Sequence, residues 1–130
     1  MNGFTLHLQS AVRYDRIADV ASFVGMDATG SFGILPGRAR FMTVLEYGLA
    51  RFRPSDGPWQ YVACPGGVLS FVDEELFLNT RRYLRDDDYE RISALLAGQL
   101  AREEAELRTV KENLQRLEQE LYRRLRKLDQ

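Results

Sequence analysis

Two different patterns of hydrophobic and polar positions divide the chain near Tyr83. Before this residue, apolar side chains alternate with polar ones or gather in short runs, and turn-forming residues separate the runs. The alternating stretches and runs are Phe4–Leu8, Val20–Val24, Phe41–Leu45, Leu49–Phe52, Trp59–Cys64, Val68–Val72 and Leu76–Leu78. Short strands at this spacing are typical of an all-β sandwich or flattened barrel. We therefore predict a β-sandwich domain over residues 1–85.

Glycine and proline mark the corners between these strands. All four prolines and all but one of the ten glycines precede residue 70. Glycine adopts left-handed and closely packed backbone conformations at low steric cost, so we expect it in turns. The residues predicted to form structural turns are Gly33, Pro36, Gly37, Gly66 and Gly67. A phosphate-binding loop is excluded, because the segment 30–45 has no lysine and its glycines lie among strands instead of opening a helix.

From residue 88 onward, the apolar residues recur every three or four positions. The residues that share this seam are Leu107, Val110, Leu114, Leu117 and Leu121, and Leu125 and Leu128 continue it. This spacing predicts an amphipathic α-helical domain over residues 86–130. Gly98 weakens a helix, so two forms stay open, a hairpin that breaks at Gly98 and one long helix. In either form the seam needs a covering partner, which is another helix of this chain, the sandwich or a second chain.

Three aspartates, Asp86, Asp87 and Asp88, directly precede the helical pattern. Acidic side chains favour the positive end of a helix dipole, and Asp87 with Glu90 has the spacing of a capping pair. The alternative role for such a run of carboxylates is to bind a hard cation. We predict the capping role, because the run lies directly before the helix.

The composition excludes several classes of partner. The net charge of −1 creates no long-range field that would gather nucleic acid or acidic lipid. The N-terminal residues lack the basic start and apolar block of a signal peptide. The longest uncharged run, Gly57–Val72, is too short and too interrupted by proline and glycine to span a bilayer. We therefore expect a soluble, cytoplasmic protein that reaches a membrane only through a partner.

The chain offers few residues for catalysis or metal binding. It has one cysteine, Cys64, and one histidine, His7, so it has no internal disulfide, no evident Cys/His pair and no set of metal ligands. We expect Cys64 to be a buried thiol and His7 to lie on the surface of a strand. We predict neither an enzyme nor a cofactor.

Two segments carry a resemblance to a known family. They are Gly33-Ile34-Leu35-Pro36-Gly37-Arg38-Ala39-Arg40 and Pro65-Gly66-Gly67-Val68. Their order and spacing resemble the epsilon subunit of F-type ATP synthases over nearly the whole chain, best from about residue 17 to 80. The chain departs from the family at Arg38, where histidine is usual, and at Arg40, where proline is usual. The leucine seam and the arginine-rich end resemble the alternate, N-type F-ATPase branch.

The resemblance implies a non-catalytic rotor subunit on the cytoplasmic face of the bacterial inner membrane. The sandwich would contact the gamma subunit and the ring of c subunits, and it would couple rotation to the catalytic head. By position, the residues of the c-ring-facing loop are Asp27, Ala28, Thr29, Gly30, Ser31 and Phe32. Arg38 and Arg40 would contact gamma by forking onto its carboxylates or carbonyls. The alternative role for the two arginines is to keep a strand edge from aggregating.

The resemblance also gives the helical region a regulatory role in ATP hydrolysis, through the alpha and beta subunits. The basic residues that would contact them are Arg123, Arg124 and Arg126, although basic residues also suit a helix C-terminus. Relatives that bind ATP carry a hydrophobic–Asp–x–x–Arg–Ala motif, which this chain matches only at Asp88 and Arg91. These two residues form a candidate weak nucleotide site.

Two other functions compete with the rotor subunit. The first is a stand-alone β-sandwich adaptor that dimerises through a C-terminal coiled coil. The second is a regulatory module that senses ATP.

Overall fold

The computed structural model describes residues 3–128, and within them the chain forms nine strands followed by one helix. The elements are β1 (Phe4–Gln9), β2 (Tyr14–Asp27), β3 (Gly30–Ile34), β4 (Phe41–Leu45), β5 (Gly48–Pro54), β6 (Gln60–Cys64), β7 (Gly67–Val72), β8 (Glu75–Thr80), β9 (Leu84–Asp86) and α1 (Tyr89–Leu128). The predicted fold class, an all-β sandwich followed by a helical region, is confirmed.

The strands form one continuous sheet that folds over a shared core. The strand order is β1-β8-β7-β4-β2-β5-β6-β9, with β3 attached to β2. Strand β1 also pairs with β2, so the first five strands of this order close on themselves as a flattened barrel. Within the described residues, the pairing of β1 with β8 is parallel and the other pairings are antiparallel.

Strand β2 serves two parts of the sheet because it bends at Asp19. The φ angle of Asp19 is 55°, and the register of β2 shifts on both partners beside Val20. A bulge of this kind bends a strand and increases its twist. Before the bulge β2 pairs with β1, and after it β2 pairs with β5 and β3. The backbone N–H of Ser55 donates to the carbonyl of Asp19 at 3.0 Å, which holds the bend.

The core lies between the two faces of this folded sheet and is built mainly from phenylalanine and leucine. Phe4 meets Phe71 edge to face with ring centroids 5.5 Å apart. The other large side chains that are fully buried are Phe23, Phe52, Leu6, Leu8, Ile34, Leu69, Leu76, Leu78, Ile92 and Val20. Burial of each contributes roughly 1.5–3 kcal/mol relative to exposure. Cys64 is also buried, as predicted, and burial raises the pKa of its thiol.

A two-residue turn joins β7 to β8. Asp73 and Glu74 have φ angles of 51° and 61°, which is the type I′ geometry that matches the twist of a hairpin. The backbone N–H of Thr5 donates to the carbonyl of Glu74 at 3.0 Å. The turn therefore also fixes the start of β1 beside β8.

The surface position predicted for His7 is wrong. His7 is only 8% exposed, and its ring stacks on Phe77 with centroids 4.4 Å apart. Its Nδ1 shares a 2.6 Å hydrogen bond with the hydroxyl of Tyr14, and its Nε2 contacts the carboxylate of Glu75. Neighbouring side chains on the outer face of the sheet therefore cover the imidazole.

Two predicted turn glycines lie in strands instead. Gly33 is in β3 opposite Val24, and its φ is not positive. Gly67 begins β7, where a Cβ atom would lie 2.5 Å from the carbonyl oxygen of Asn79. Position 67 therefore requires glycine because the backbones of β7 and β8 approach each other closely there.

The helix continues through Gly98, so the hairpin alternative is wrong. α1 runs from Tyr89 to Leu128, and a Cβ atom at Gly98 would meet nothing within 4 Å. The chain separates into two compact units between Leu96 and Ala97. The boundary predicted at residue 85 stays a prediction.

No described helix is apolar over enough residues to cross a membrane.

Candidate interaction surfaces

A tight turn over Ala28 and Thr29 joins β2 to β3. Oδ1 of Asp27 accepts hydrogen bonds from the backbone N–H of Thr29 at 2.9 Å and from its hydroxyl at 2.6 Å. Oδ2 of Asp27 accepts a third bond, from the hydroxyl of Thr43 at 2.7 Å. The Asp27 carboxylate therefore holds the turn from inside and links it to β4.

These hydrogen bonds hold the pKa of Asp27 below its ordinary value, with the Thr29 hydroxyl as the largest cause and the Thr43 hydroxyl next. Ala28, Thr29 and Ser31 are exposed. Phe32 points back toward the core and lies 5.4 Å from the ring of Phe41. Three of the six residues predicted to face the c-ring are therefore presented to solvent, and Asp27 and Phe32 support them.

The second predicted contact segment begins at the turn over Pro36 and Gly37. Gly37 has a φ of 86°, which glycine adopts without strain. Its backbone N–H donates to the carboxylate of Glu74 at 2.7 Å, and the N–H of Arg38 donates to the carbonyl of Leu35 at 3.3 Å. The β7–β8 hairpin thus anchors the turn that carries Arg38.

Arg38 is exposed but held in place. Its guanidinium donates to the carbonyl of Gly33 at 3.2 Å and lies over the ring of Phe41, 4.3 Å from the centroid. Arg40 is exposed and has no hydrogen bond or ion pair with any residue from 3 to 128. The structure therefore presents two cations on one short segment, one pre-oriented and the other unpaired.

An apolar surface on β4 and β7 was missed by the sequence analysis. Met42 is 70% exposed, Val44 is 65% exposed and Val68 is 44% exposed. Val44 lies opposite Val68 in the β4–β7 ladder, so these side chains form one patch, here named the outer apolar patch. The signal was present, because the run Phe41–Leu45 places apolar residues on both faces of a strand.

The acidic run before α1 engages Arg91. The guanidinium of Arg91 donates to both carboxylate oxygens of Asp86, at 2.7 and 2.6 Å. This bidentate pair holds the pKa of Asp86 far below its ordinary value and raises the pKa of Arg91. Two candidate nucleotide ligands, Asp88 and Arg91, therefore lie together, but Arg91 is already paired.

Asp88 is the N-cap of α1. Its carboxylate accepts the backbone N–H of Arg91 at 3.1 Å, and its carbonyl accepts the N–H of Ile92 at 3.1 Å. The predicted pair of Asp87 and Glu90 is therefore displaced by one residue, to Asp88 and Arg91. No group of three potential metal ligands occurs among the residues that the structure describes.

The remaining predicted site lies near the end of α1. Arg123, Arg124 and Arg126 are exposed on the helix. Arg126 and Lys127 occupy its last turn, where positive charge interacts favourably with the helix dipole.

A shallow cleft of about 510 Å³ lies on the outer face of β2, β5 and β6, and no sequence pattern indicated it. Val24, Met26 and Leu49 contribute apolar walls, and Arg51 contributes a cation. Tyr61 and Tyr89 close one side, with ring centroids 5.4 Å apart. The cleft therefore offers aromatic and apolar contacts beside one guanidinium.

Comparison with known sequences identifies the first part of the chain. Residues 5–85 match the family described as ATP synthase, Delta/Epsilon chain, beta-sandwich domain. The chain is 40% identical over 81 residues to ATP synthase epsilon chain 2 of Cereibacter sphaeroides, a match that covers 62% of this chain and 56% of the relative. It is 38% identical over 55 residues to the ATP synthase epsilon chain of Streptomyces avermitilis, which covers 42% of this chain and 44% of the relative. The match thus spans about half the length of these curated relatives.

Solved structures show the same fold. A chain of the Euglena gracilis mitochondrial ATP synthase, solved as an OSCP/F1/c-ring assembly, superposes with a TM-score of 0.59 at 18% identity, over 78% of this chain and 66% of that one. A chain of the Tetrahymena thermophila mitochondrial ATP synthase central stalk and c-ring gives a TM-score of 0.54 at 13% identity, over 62% and 64%. The family match over residues 5–85, together with the epsilon-chain relatives, shows that the chain belongs to the family of F-type ATP synthase epsilon subunits.

Proposed function

We propose that the chain acts in the central stalk of an F-type ATP synthase, as a non-catalytic rotor subunit that couples rotation of the c-ring to the catalytic head. The observation that carries this proposal is the family match over residues 5–85, which covers nearly all of the strand-rich part. The likeness to chains of central-stalk and c-ring assemblies supports it. The assembly would lie peripherally on the cytoplasmic face of the bacterial inner membrane, and the leucine seam favours the N-type branch.

The turn between β2 and β3 is the proposed contact with the c-ring. Ala28, Thr29 and Ser31 project from it, and three hydrogen bonds to the Asp27 carboxylate fix its shape. A turn that meets a rotating ring transmits force only if it resists bending. The link from Asp27 to Thr43 on β4 provides this resistance.

The segment from Arg38 to Val44 is the proposed contact with gamma. Arginine and exposed apolar side chains are the residue types that protein interfaces favour. Arg38 and Arg40 supply the cations, and the outer apolar patch supplies Met42 and Val44. The Phe41 ring beneath Arg38 reduces the entropy lost on binding, since the guanidinium is already oriented.

The helix is the proposed contact with the alpha and beta subunits. Arg123, Arg124 and Arg126 would meet acidic surfaces there and regulate ATP hydrolysis. The basic residues are exposed, which supports an electrostatic contact that weakens with salt.

Binding to a gamma subunit tests the proposal. We expect the purified chain to bind gamma with one-to-one stoichiometry in calorimetry. Met42→Glu, which places a charge in the outer apolar patch, should weaken binding by about 100-fold. Val12→Glu is the matched control, because Val12 is apolar and 92% exposed but lies outside the patch. A chain that ignores gamma overturns the proposal, and equal losses in the two variants overturn the assigned surface.

A further inference from the structure

A leucine occurs at every seventh position of α1 from Leu100 to its end at Leu128. These residues are Leu100, Leu107, Leu114, Leu121 and Leu128, and all are exposed. Val110 and Leu117 lie three positions after a leucine and are exposed on the same stripe. Two apolar positions in each seven residues are typical of a coiled-coil seam, in which two helices bury their stripes against each other.

The residues that flank this seam carry a specific charge pattern. Those on one side are Glu104, Lys111, Glu118 and Leu125, and those on the other are Glu106, Asn113, Glu120 and Lys127. Flanking charges decide which helix pairs with which and in what orientation. The pattern therefore allows candidate partners and registers to be compared by charge.

We propose that the seam pairs with the same seam of a second copy of this chain, in antiparallel orientation. In the proposed register, Leu114 lies opposite Leu117 of the second copy, and Val110 lies opposite its Leu121. The two-fold axis passes between Gln115 and Arg116. This register buries the most continuous apolar part of the stripe at the centre of the interface.

Charge complementarity favours this register. It places Lys111 beside Glu118 of the second copy and Glu106 beside its Lys127. Each pair occurs twice because of the two-fold axis, and no like charges face each other at the flanking positions. Arg124 then faces Leu107 of the second copy in an outer layer, where its charged end reaches solvent.

The competing arrangements bring like charges together. In a parallel pair, Glu103 would face its own copy within the seam, and so would Arg124. In the antiparallel register with Leu107 opposite Leu117, Glu106 would face Glu120 and Lys111 would face itself. Like-charge contacts suppress a wrong pairing, so the sequence selects the proposed register.

This inference goes beyond the proposed function, because binding to gamma is assigned to the strands and needs one copy of the chain. Pairing of the helices concerns the chain outside the assembly. Failure to dimerise would therefore leave gamma binding untouched, and failure to bind gamma would leave the dimer untouched.

Sedimentation equilibrium of the full chain tests the proposal. We expect a dimer at low micromolar concentration. Lys111→Glu and Glu118→Lys should each weaken dimerisation by about tenfold or more, because each turns two attractive pairs into repulsive ones. The double variant should restore dimerisation to within about threefold of the original. Residues 111 and 118 are seven apart, so the swap creates no ion pair within one helix.

Glu112→Lys, at an outward position of the same helix, is the matched control and should leave dimerisation unchanged. A monomer at all concentrations overturns the proposal, as does a control variant that loses the dimer equally. Rescue of Lys111→Glu by Glu106→Lys instead of Glu118→Lys indicates a parallel pair and overturns the antiparallel register. Circular dichroism of each variant verifies that α1 stays helical.

Discussion

The hydroxyl of Tyr83 lies 2.6 Å from a carboxylate oxygen of Asp15 and donates a hydrogen bond to it. Arg13 pairs with the same carboxylate at 2.9 Å, and its guanidinium lies over the Tyr83 ring, 4.9 Å from the centroid. Burial of the phenol and the hydrogen bond to Asp15 raise the pKa of Tyr83 to about 12. This contact joins the segment before β9 to β2, between residues that are 68 positions apart in the sequence.

We predict that Tyr83→Phe lowers the free energy of unfolding by about 1.5–3 kcal/mol, because the variant loses a hydrogen bond to a charged acceptor. Urea denaturation at neutral pH measures the change. Tyr122→Phe, on the exposed part of α1, is the matched control and should leave the free energy of unfolding unaltered within error. Equal stability of the Tyr83 variant and the original chain would contradict the role of this contact.

Tyr83 also predicts a dependence of stability on alkaline pH. The folded chain keeps the phenolic proton to about pH 12, whereas the unfolded chain releases it near pH 10. The folded state therefore binds more protons between these values, and stability falls as the pH rises through this window. Tyr83→Phe should lack this part of the fall. A chain whose stability is constant over the window would contradict the raised pKa.

Thr43→Val tests the hydrogen bond by which Thr43 on β4 supports Asp27 at the β2–β3 turn. Removal of the Thr43 hydroxyl should raise the pKa of Asp27 toward its ordinary value of 3.8, because one of the bonds that stabilise the charged carboxylate is lost. The variant should be less stable than the original above this pH, and the difference should disappear as acid protonates Asp27. Carbon NMR of the Asp27 carboxyl follows the titration. Thr109→Val on α1 is the control. An unchanged pKa of Asp27 in Thr43→Val would contradict a stabilising role for the hydrogen bond from Thr43 to Asp27.

Two glycine substitutions should have opposite effects. Gly98→Ala should stabilise α1 by about 1 kcal/mol, since the position is open and alanine favours a helix. Gly67→Ala should destabilise the strands by about 1–3 kcal/mol, because the added Cβ meets the backbone of Asn79. Thermal melts followed by circular dichroism compare the two variants with the original. Destabilisation by Gly98→Ala would indicate that α1 bends or packs at this residue.

Calorimetry with Mg-ATP tests the candidate nucleotide site. We expect no binding at millimolar nucleotide, because Arg91 already makes a bidentate pair with Asp86 and Asp88 caps the helix. Asp86→Asn releases the charge that holds Arg91 and is the informative variant. If Mg-ATP binds the original chain with measurable heat and the Arg91→Ala variant gives none, the expectation is wrong and Arg91 belongs to a nucleotide site.

Periodicity was enough to predict the two kinds of structure, because alternation and the three-to-four spacing depend only on local geometry. It did not predict the length of β2, whose residues Tyr14 to Ile17 lie outside the apolar run and pair with β1. It also missed β9, since three residues are too few to show a period. His7 was placed on the surface because alternation does not tell which neighbouring strand will cover an outer face.

The candidate sites depended more on resemblance than on chemistry. The Pro36-Gly37-Arg38 segment was found from family likeness, and only the structure shows Glu74 and Phe41 orienting it. The outer apolar patch was missed because Met42 and Val44 belong to a run that is equally typical of a strand buried on both faces. The contacts that decide exposure come from β7, far along the chain.

The parallel pairing of β1 with β8 has a consequence for synthesis and folding. Leu6 lies beside Leu76, so one edge of β1 cannot form its backbone hydrogen bonds until β8, about 70 residues later, has been synthesised. Such long loops between neighbours raise contact order and slow folding. While the ribosome is still extending the chain, β1 has β2 as a partner on one edge, but its other edge stays open until β8 is made, and pairing with β8 completes the barrel. Shortening the amino terminus would therefore remove the strand that closes the structure.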